Sequence, residues 1–253
     1  MFTHAITRPP AESYVNGITT AKLGQPDYAL ALRQHAAYVD ALRACGLEVT
    51  VLEPAPAFPD SCFVEDTALL TGRVGIITRP GADSRRGEAA LMAPEIEARF
   101  AIVARIEAPG TLDAGDVMMV GDHFYIGLSE RTNAAGAEQL QALLGAHGYS
   151  GEAVPMEAML HLKTGVNNLE RNRLLVTGEF VGASVFAGFE CLEVPEAEAY
   201  AANSLWVNDR VLVPAGFPGV LAQVKACGYE TLEVDVSEFQ KMDGGLSCLS
   251  LRY

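Results

Sequence analysis

The sequence predicts an α/β fold in which five copies of a strand–strand–helix–strand unit surround a shared centre. Three observations predict it. A polar or acidic opening recurs five times, as Glu65-Asp66, Asp113-Ala114-Gly115-Asp116, His161-Leu162-Lys163, Asn203 and Ser247-Cys248. The period of roughly 50 residues is that of architectures whose units cannot bury their apolar faces alone. Each opening is followed by short alternating runs with turn residues between them, and amphipathic segments closed by glycine separate the runs.

Each element has its own signal. Asp27 to Ala44 reads as a helix, since Tyr28, Ala31, Leu32, Ala36, Val39 and Leu42 recur at helical spacing and Gly46 suits the position after its end. Leu47 to Leu52 alternates as a strand. The second unit opens at Cys62-Phe63-Val64-Glu65-Asp66, runs through Ala68-Leu69-Leu70, turns near Gly72 and returns as Val74 to Thr78. Arg86 to Phe100 reads as a helix broken or kinked at Pro94, with Ala101 to Ile106 as the closing strand. In the third unit Val117–Val120, Gly121-Asp122 and His123–Gly127 form a hairpin with a two-residue turn. Asn133 to His147 is its helix, with Ala137, Leu140, Leu143 and Leu144 on one face and Gly148 after it. The fourth unit has Leu174–Thr177 and a short helix around Ser184–Phe186. The fifth has Ser204–Val207, Asn208-Asp209, Arg210–Val213, a helix from Pro218 to Ala226 and a strand from Tyr229 to Val236, with Gly245–Leu251 completing it. No linker or low-complexity segment interrupts the series, so residues 1–253 are read as one domain.

Composition narrows the function. The chain has 253 residues, 49% of them hydrophobic, enough for a sizeable core. A net charge of −14 argues against nucleic acid, which needs clustered Lys and Arg, and suits a small cationic partner as well as plain solubility. No apolar stretch reaches the length of a membrane span. The five cysteines, Cys45, Cys62, Cys191, Cys227 and Cys248, are odd in number and contain no Cys-x-x-Cys pair, so reduced thiols in the cytoplasm are expected. The N-terminus carries no secretory signal. A homodimer is left open.

Cys248 stands apart from the other thiols because Asp243-Gly244-Gly245 precedes it and allows the close backbone approach that presents a nucleophile. Cys45, Cys62, Cys191 and Cys227 read as small apolar residues. Among the histidines only His161 occupies the opening of a unit; His4, His35, His123 and His147 read as structural. Asp60, Glu65, Asp66, Asp113 and Asp116 form the acidic set. It lacks short-range His or Cys ligand spacing, so neither a metal nor a cofactor is expected. A thiol, an imidazole and several carboxylates can together perform nucleophilic chemistry on a cation.

These residues carry a resemblance. Phe58-Pro59-Asp60-Ser61 with Val64-Glu65-Asp66, Thr78-Arg79-Pro80-Gly81 with Ser84–Glu88, Asp113–Asp116, His161-Leu162-Lys163-Thr164-Gly165, Tyr200–Asn203, and Asp243-Gly244-Gly245 with Ser247-Cys248 span almost the whole chain. In that order they resemble the bacterial dimethylarginine dimethylaminohydrolases of the arginine deiminase superfamily. The resemblance implies a five-bladed α/β-propeller, the pentein fold, with pseudo-fivefold symmetry. Fold alone does not imply catalysis, because a translation factor that binds a ribosomal subunit shares it.

It further implies hydrolysis of Nω-methylated L-arginine to L-citrulline and methylamine or dimethylamine. Cys248 would be the nucleophile and His161 the acid and base, through a covalent thiouronium. Glu65, Asp66 and Asp113 would surround the guanidinium, with Asp66 and Asp113 polarising it. Arg85 and Arg131 would hold the α-carboxylate, and Asp60, Ile18 and Met242 would close around the amino-acid end. Two departures matter: Asp113 stands where many relatives have Glu, and Lys163 stands where arginine deiminases carry a carboxylate. The second favours an N-methylated substrate over free arginine. The alternatives are a hydrolase of citrulline, arginine or another guanidino or ureido compound, and a non-catalytic binding protein of the same fold. Residues 17–27, with Gly24 as a hinge, could form a lid. A thiol among carboxylates is also expected to be neutral until a cation arrives.

Overall fold

The computed structural model describes residues 1–253. Its strands form five three-stranded sheets with one repeated pattern. In the second unit β3 (Ala68–Leu70) pairs antiparallel with β4 (Gly75–Ile77), and β4 pairs parallel with β5 (Val103–Arg105) after a helical crossover. The third repeats this with β6 (Val117–Val120), β7 (His123–Leu128) and β8 (Ser150–Pro155), the fourth with β9 (Val166–Asn168), β10 (Arg173–Val176) and β11 (Glu190–Glu193), and the fifth with β12 (Leu205–Val207), β13 (Arg210–Pro214) and β14 (Glu230–Val234). The first unit is assembled from both ends of the chain: β1 (His4–Thr7) pairs parallel with β2 (Glu48–Val51) and antiparallel with β15 (Leu251–Arg252). The segment after Gly245, expected to complete the fifth unit, therefore completes the first and closes the circle.

Five apolar clusters pack the seams between neighbouring blades. Ile6 and Leu251 meet Ala68, Ile77 and Met92; Val74 and Ile76 meet Val117, Phe124 and Leu140; Met118 and Tyr125 meet Leu162 and Leu174. Leu169 and Leu175 meet Val211 and Val220, and Leu205 and Leu212 meet Ala5, Tyr38 and Leu42. The last contact joins the fifth blade to the first. With about 1.5–3 kcal/mol available from each fully buried large apolar side chain, every seam contributes to holding the hub shut.

The helices follow their caps. Asp27 accepts a hydrogen bond from Leu30 N–H at the start of α1 (Tyr28–Ala44), and Gly46 leaves it with φ +88°. Asn133 caps α3 (Ala134–Ala146) in the same way. The helix between them, α2 (Arg86–Glu97), was expected to break or kink at Pro94 and to reach Phe100; it runs continuously through Pro94 and stops at Glu97. Pro94 and Ala90 lie on the exposed face, so the Ala90 carbonyl that loses its N–H partner turns to water. The openings also differ in detail from strand starts: Val64–Thr67, Ala114–Asp116 and Ser247–Leu249 are 3₁₀ turns and Leu162–Gly165 is one α-turn. Such turns aim consecutive side chains inward and sideways, which an extended strand cannot do.

His35 on α1 is buried with its Nε2 lacking a partner, and burial lowers its pKa to about 4 from an ordinary 6.5. Below pH 6.5 the unfolded chain takes up a proton at His35 that the folded chain refuses, so stability falls as pH falls from 6.5 towards 4. His35→Gln is expected to recover on the order of 2–3 kcal/mol of the stability lost between pH 6.5 and 4.5, measured by urea denaturation. Equal pH slopes for the two proteins would contradict this.

Candidate active site

The five openings converge and bond to one another around the hub. Gly115 N–H donates to Asp66 Oδ1 (2.9 Å), Leu162 N–H to Asp116 Oδ1 (2.9 Å), and Ser247 N–H to Asn203 Oδ1 (2.9 Å). Asn203 Nδ2 donates to the Lys163 carbonyl, and Ser247 Oγ donates to Glu65 Oε2 (2.7 Å), which closes the ring. Gly115 is required by close approach: a Cβ there would lie 2.9 Å from His161 Nδ1 and 2.8 Å from Asp66 Oδ1.

Two adjoining cavities share His161 and Cys248 as a common wall. The inner one, about 50 Å³, is lined by Asp60, Asp66, Asp113, Arg85 and Arg131, with Ile18 and Met242 beside them. The outer one, about 400 Å³, adds Glu65, Lys163 and Asn203. A third cavity of about 110 Å³ is lined by residues of the first strand of every blade, and it shares Glu65, Lys163 and Ser247 with the outer cavity. Those three side chains are therefore a septum across the hub.

Cys248 sits in the 3₁₀ turn, where Gly245 N–H donates to its Sγ at 3.3 Å. Burial, then the charges of Glu65 and Asp66, push its thiol up to about 12, with Gly245 N–H and Lys163 only partly opposing. Both causes favour the neutral thiol; burial comes first, and the acidic surroundings on which the expectation rested come second. His161 sits at the N-cap of its α-turn with Nε2 3.1 Å from Asp113 Oδ2. Burial alone would lower its pKa, but Asp66, the Asp113 hydrogen bond and Asp116 overcome it and raise the group to about 9. At neutral pH His161 is an imidazolium whose Nε2–H donates to Asp113. For Asp113 burial works upward, yet the His161 hydrogen bond and charge, Arg85 and the Gly81 N–H hold it below the ordinary carboxylate range.

The other residues take distinct positions. Asp66 Oδ2 accepts from Arg85 Nη1 at 2.5 Å, and Glu88 grips the same guanidinium through Nε and Nη2 at 3.0 and 2.8 Å. Arg85 is thus buried and largely committed to protein partners. Arg131 enters none of the site's ion pairs, which are Arg85–Asp66, Arg85–Glu88, His161–Asp113, Lys163–Glu65 and Arg252–Glu65. Asp60 accepts from Ile18 N–H at 3.0 Å, and burial raises its pKa. Glu65 lies deeper than expected of a guanidinium ligand: Oε1 takes Lys163 Nζ at 2.6 Å and Arg252 at 3.1 Å, while Oε2 takes Ser247. Glu88 and Asn203 were not singled out as site residues. Both lie in segments that carry the family resemblance, Glu88 three residues after Arg85 and Asn203 at a unit opening.

Asp66, Asp113 and His161 bring donor atoms within 4.8 Å of one another, a spacing that could hold a cation. A metal ion would have to compete with the Arg85 and Gly115 donors on Asp66 and take the place of a proton on His161, whereas a planar organic cation needs only hydrogen-bond acceptors already in place. No helix is long and apolar enough to cross a membrane.

Comparison with known proteins agrees with this geometry. A family model described as "N,N dimethylarginine dimethylhydrolase, eukaryotic" matches residues 18–180. The chain is 55% identical to the N(G),N(G)-dimethylarginine dimethylaminohydrolase of Pseudomonas aeruginosa over 100% of both chains. It is similar to a structure of the P. aeruginosa enzyme, a cysteine-to-serine mutant complexed with citrulline, with TM-score 0.99, 54% identity and 100% of each chain covered. A dimethylarginine dimethylaminohydrolase carrying a histidine-to-glycine mutation, an adduct with S-methyl-L-thiocitrulline, matches with the same TM-score of 0.99, identity and coverage. The chain belongs to the dimethylarginine dimethylaminohydrolase family.

Proposed function

We propose that this protein hydrolyses Nω-methylated L-arginine to L-citrulline and dimethylamine or methylamine. The observation that carries the reading is the convergence of a thiol, an imidazolium and the carboxylates of Asp60, Asp66, Asp113 and Asp243 on one small cavity. The guanidinium lies between Asp66 and Asp113, whose negative charges orient the planar cation. Its arrival adds a positive charge beside Cys248, which offsets Glu65 and Asp66 and lets the thiol release its proton to solvent. The thiolate attacks the guanidinium carbon, the carbon–nitrogen bond to the methylated amine breaks, and His161 gives that amine its proton. The neutral imidazole then takes a proton from water, and the hydroxide adds to the thiouronium carbon. The carbon–sulfur bond breaks with the hydroxyl proton passing to the departing thiolate, leaving citrulline and the neutral thiol.

The amino-acid end is held by Asp60, the Ile18 backbone and Met242, with Arg131 and the remaining N–H of Arg85 on the α-carboxylate. Glu65 acts through the septum, keeping Lys163 against the outer cavity. The substituted end of the guanidinium consequently meets an ammonium instead of a carboxylate, which suits methyl groups better than N–H donors. The closed ring of blades supports residues 1–253 acting as one catalytic domain. Five unpaired cysteines support a cytoplasmic setting. The acid and thiol groups all come from one chain, so a homodimer would not be needed to complete the site; light scattering would give the assembly state.

Asymmetric dimethylarginine, monomethylarginine, arginine and citrulline are to be incubated separately with the protein, assaying ureido product, released amine and ammonia. Citrulline from the methylated compounds and scarcely any from arginine is expected. Ammonia from arginine or citrulline, with the methylated compounds inert, would overturn the substrate while keeping the thiol chemistry.

A further inference from the structure

We propose that Asn203 is the positioning residue that sets the nucleophile-bearing turn against the turn that carries the acid and base. The fifth blade contributes no reacting group to the cavity, yet its opening residue touches both catalytic turns. Asn203 Nδ2 donates to the carbonyl of Lys163, two residues after His161, at 2.9 Å. Its Oδ1 accepts from the N–H of Ser247, one residue before Cys248, at 2.9 Å, and Nδ2 also reaches Ser247 Oγ at 3.1 Å. Both amide hydrogens and the amide oxygen are engaged, and the residue is 6% exposed.

The chemistry of these partners selects an amide. One neighbour is a backbone carbonyl and another a backbone N–H, so the group between them must donate on one side and accept on the other. A carboxylate would set oxygen against the Lys163 carbonyl, and an apolar side chain would leave the buried Ser247 N–H unpaired and the Lys163 carbonyl with Asn167 Nδ2 alone. The contact is tight as well as bonded. A Cβ on Gly245 would lie 2.6 Å from the Asn203 side chain, so the glycine lets the nucleophile turn rest directly on the amide. Tyr200, from the same segment, donates its hydroxyl to the Gly244 carbonyl at 2.8 Å, giving that turn a second tether. Asn203, Lys163, Ser247 and Tyr200 line the outer cavity and not the inner one, where the amino-acid portion of a substrate would sit. With both amide hydrogens and the amide oxygen spent on the two turns, Asn203 governs the distance between Cys248 and His161.

The inference rests on the proposed roles of Cys248 and His161. Displacing a reacting group by about 1 Å can cost roughly 10²-fold in rate, so Asn203→Ala is expected to lower kcat about 10- to 100-fold while KM stays within about threefold. Asn203→Asp keeps the acceptor for Ser247, loses both donated bonds and sets an oxygen against the Lys163 carbonyl, so it should show the same split with at least as large a stability change. Steady-state kinetics on a methylated arginine, with thermal melting of each variant and Cys248→Ser in parallel, test the idea. Wild-type kcat in either folded variant, a loss carried by KM, or failure of both variants to fold would overturn it. An active Cys248→Ser would instead overturn the underlying mechanism, whatever the Asn203 variants do.

Discussion

Cys248→Ser is expected to reduce turnover of methylated arginines by at least roughly 10³-fold while the fold and the inner cavity persist, because a serine hydroxyl cannot be ionised there by a substrate charge. The same residue gives a second result in the empty enzyme. With its thiol pushed up to about 12 by burial and by Glu65 and Asp66, only on the order of 10⁻⁴–10⁻⁵ of Cys248 is thiolate near neutral pH. Alkylation by iodoacetamide, read on the Cys248 peptide by mass spectrometry, should therefore climb about tenfold per pH unit from 7 to 10 without levelling. A plateau near or below the ordinary thiol value of about 8.5 would show that the protein activates the thiol unaided, and the substrate-assisted step would fall. Turnover has the opposite limb. His161 must carry a proton to release the amine, so activity should be lost as pH rises through about 9.

Much of this was legible because it is local. Helix caps at Asp27 and Asn133, the glycines after α1 and α3, and the turn at Asn208-Asp209, whose φ values are +48° and +71°, are written in a few consecutive residues. What could not be read depends on contacts between distant segments. Leu251 pairs with Ile6 across the whole chain, and no alternation in Gly245–Leu251 distinguishes that pairing from one with the fifth blade. Glu65 and Asp66 are adjacent in sequence, yet the 3₁₀ turn sends one to Lys163 and Arg252 and the other to Arg85. The family resemblance implied that both surround the guanidinium. Their separation came from cations 98, 187 and 19 residues away. The reacting types were visible; the partners that divide labour among them were not.

That division makes Asp66 the most consequential of the carboxylates. It is paired with Arg85 at 2.5 Å, with side chains 4% and 7% exposed, and it also accepts from Gly115 N–H. Both partners are donors, so the near-isosteric Asp66→Asn must turn its own NH₂ toward one of them. Whichever way it turns, one buried donor loses its acceptor. With the NH₂ toward Gly115 that backbone N–H is unpaired, and with it toward Arg85 the guanidinium is left with Glu88 and two backbone carbonyls. The negative charge opposite Arg85 is gone in both cases. Truncating one member of a buried charged pair costs about 2–5 kcal/mol, so kcat/KM should fall roughly 30- to 5,000-fold. The sign of a second effect separates chemistry from general damage. Among the groups that raise His161, the Asp66 charge is the largest, so its removal should lower the imidazole pKa and move the alkaline limb of activity below pH 9. Fewer enzyme molecules in the folded state would scale the whole profile down and leave that limb where it was. A profile reduced but unshifted would confine Asp66 to holding Arg85, and a kcat/KM within threefold of wild type would remove it from the site altogether.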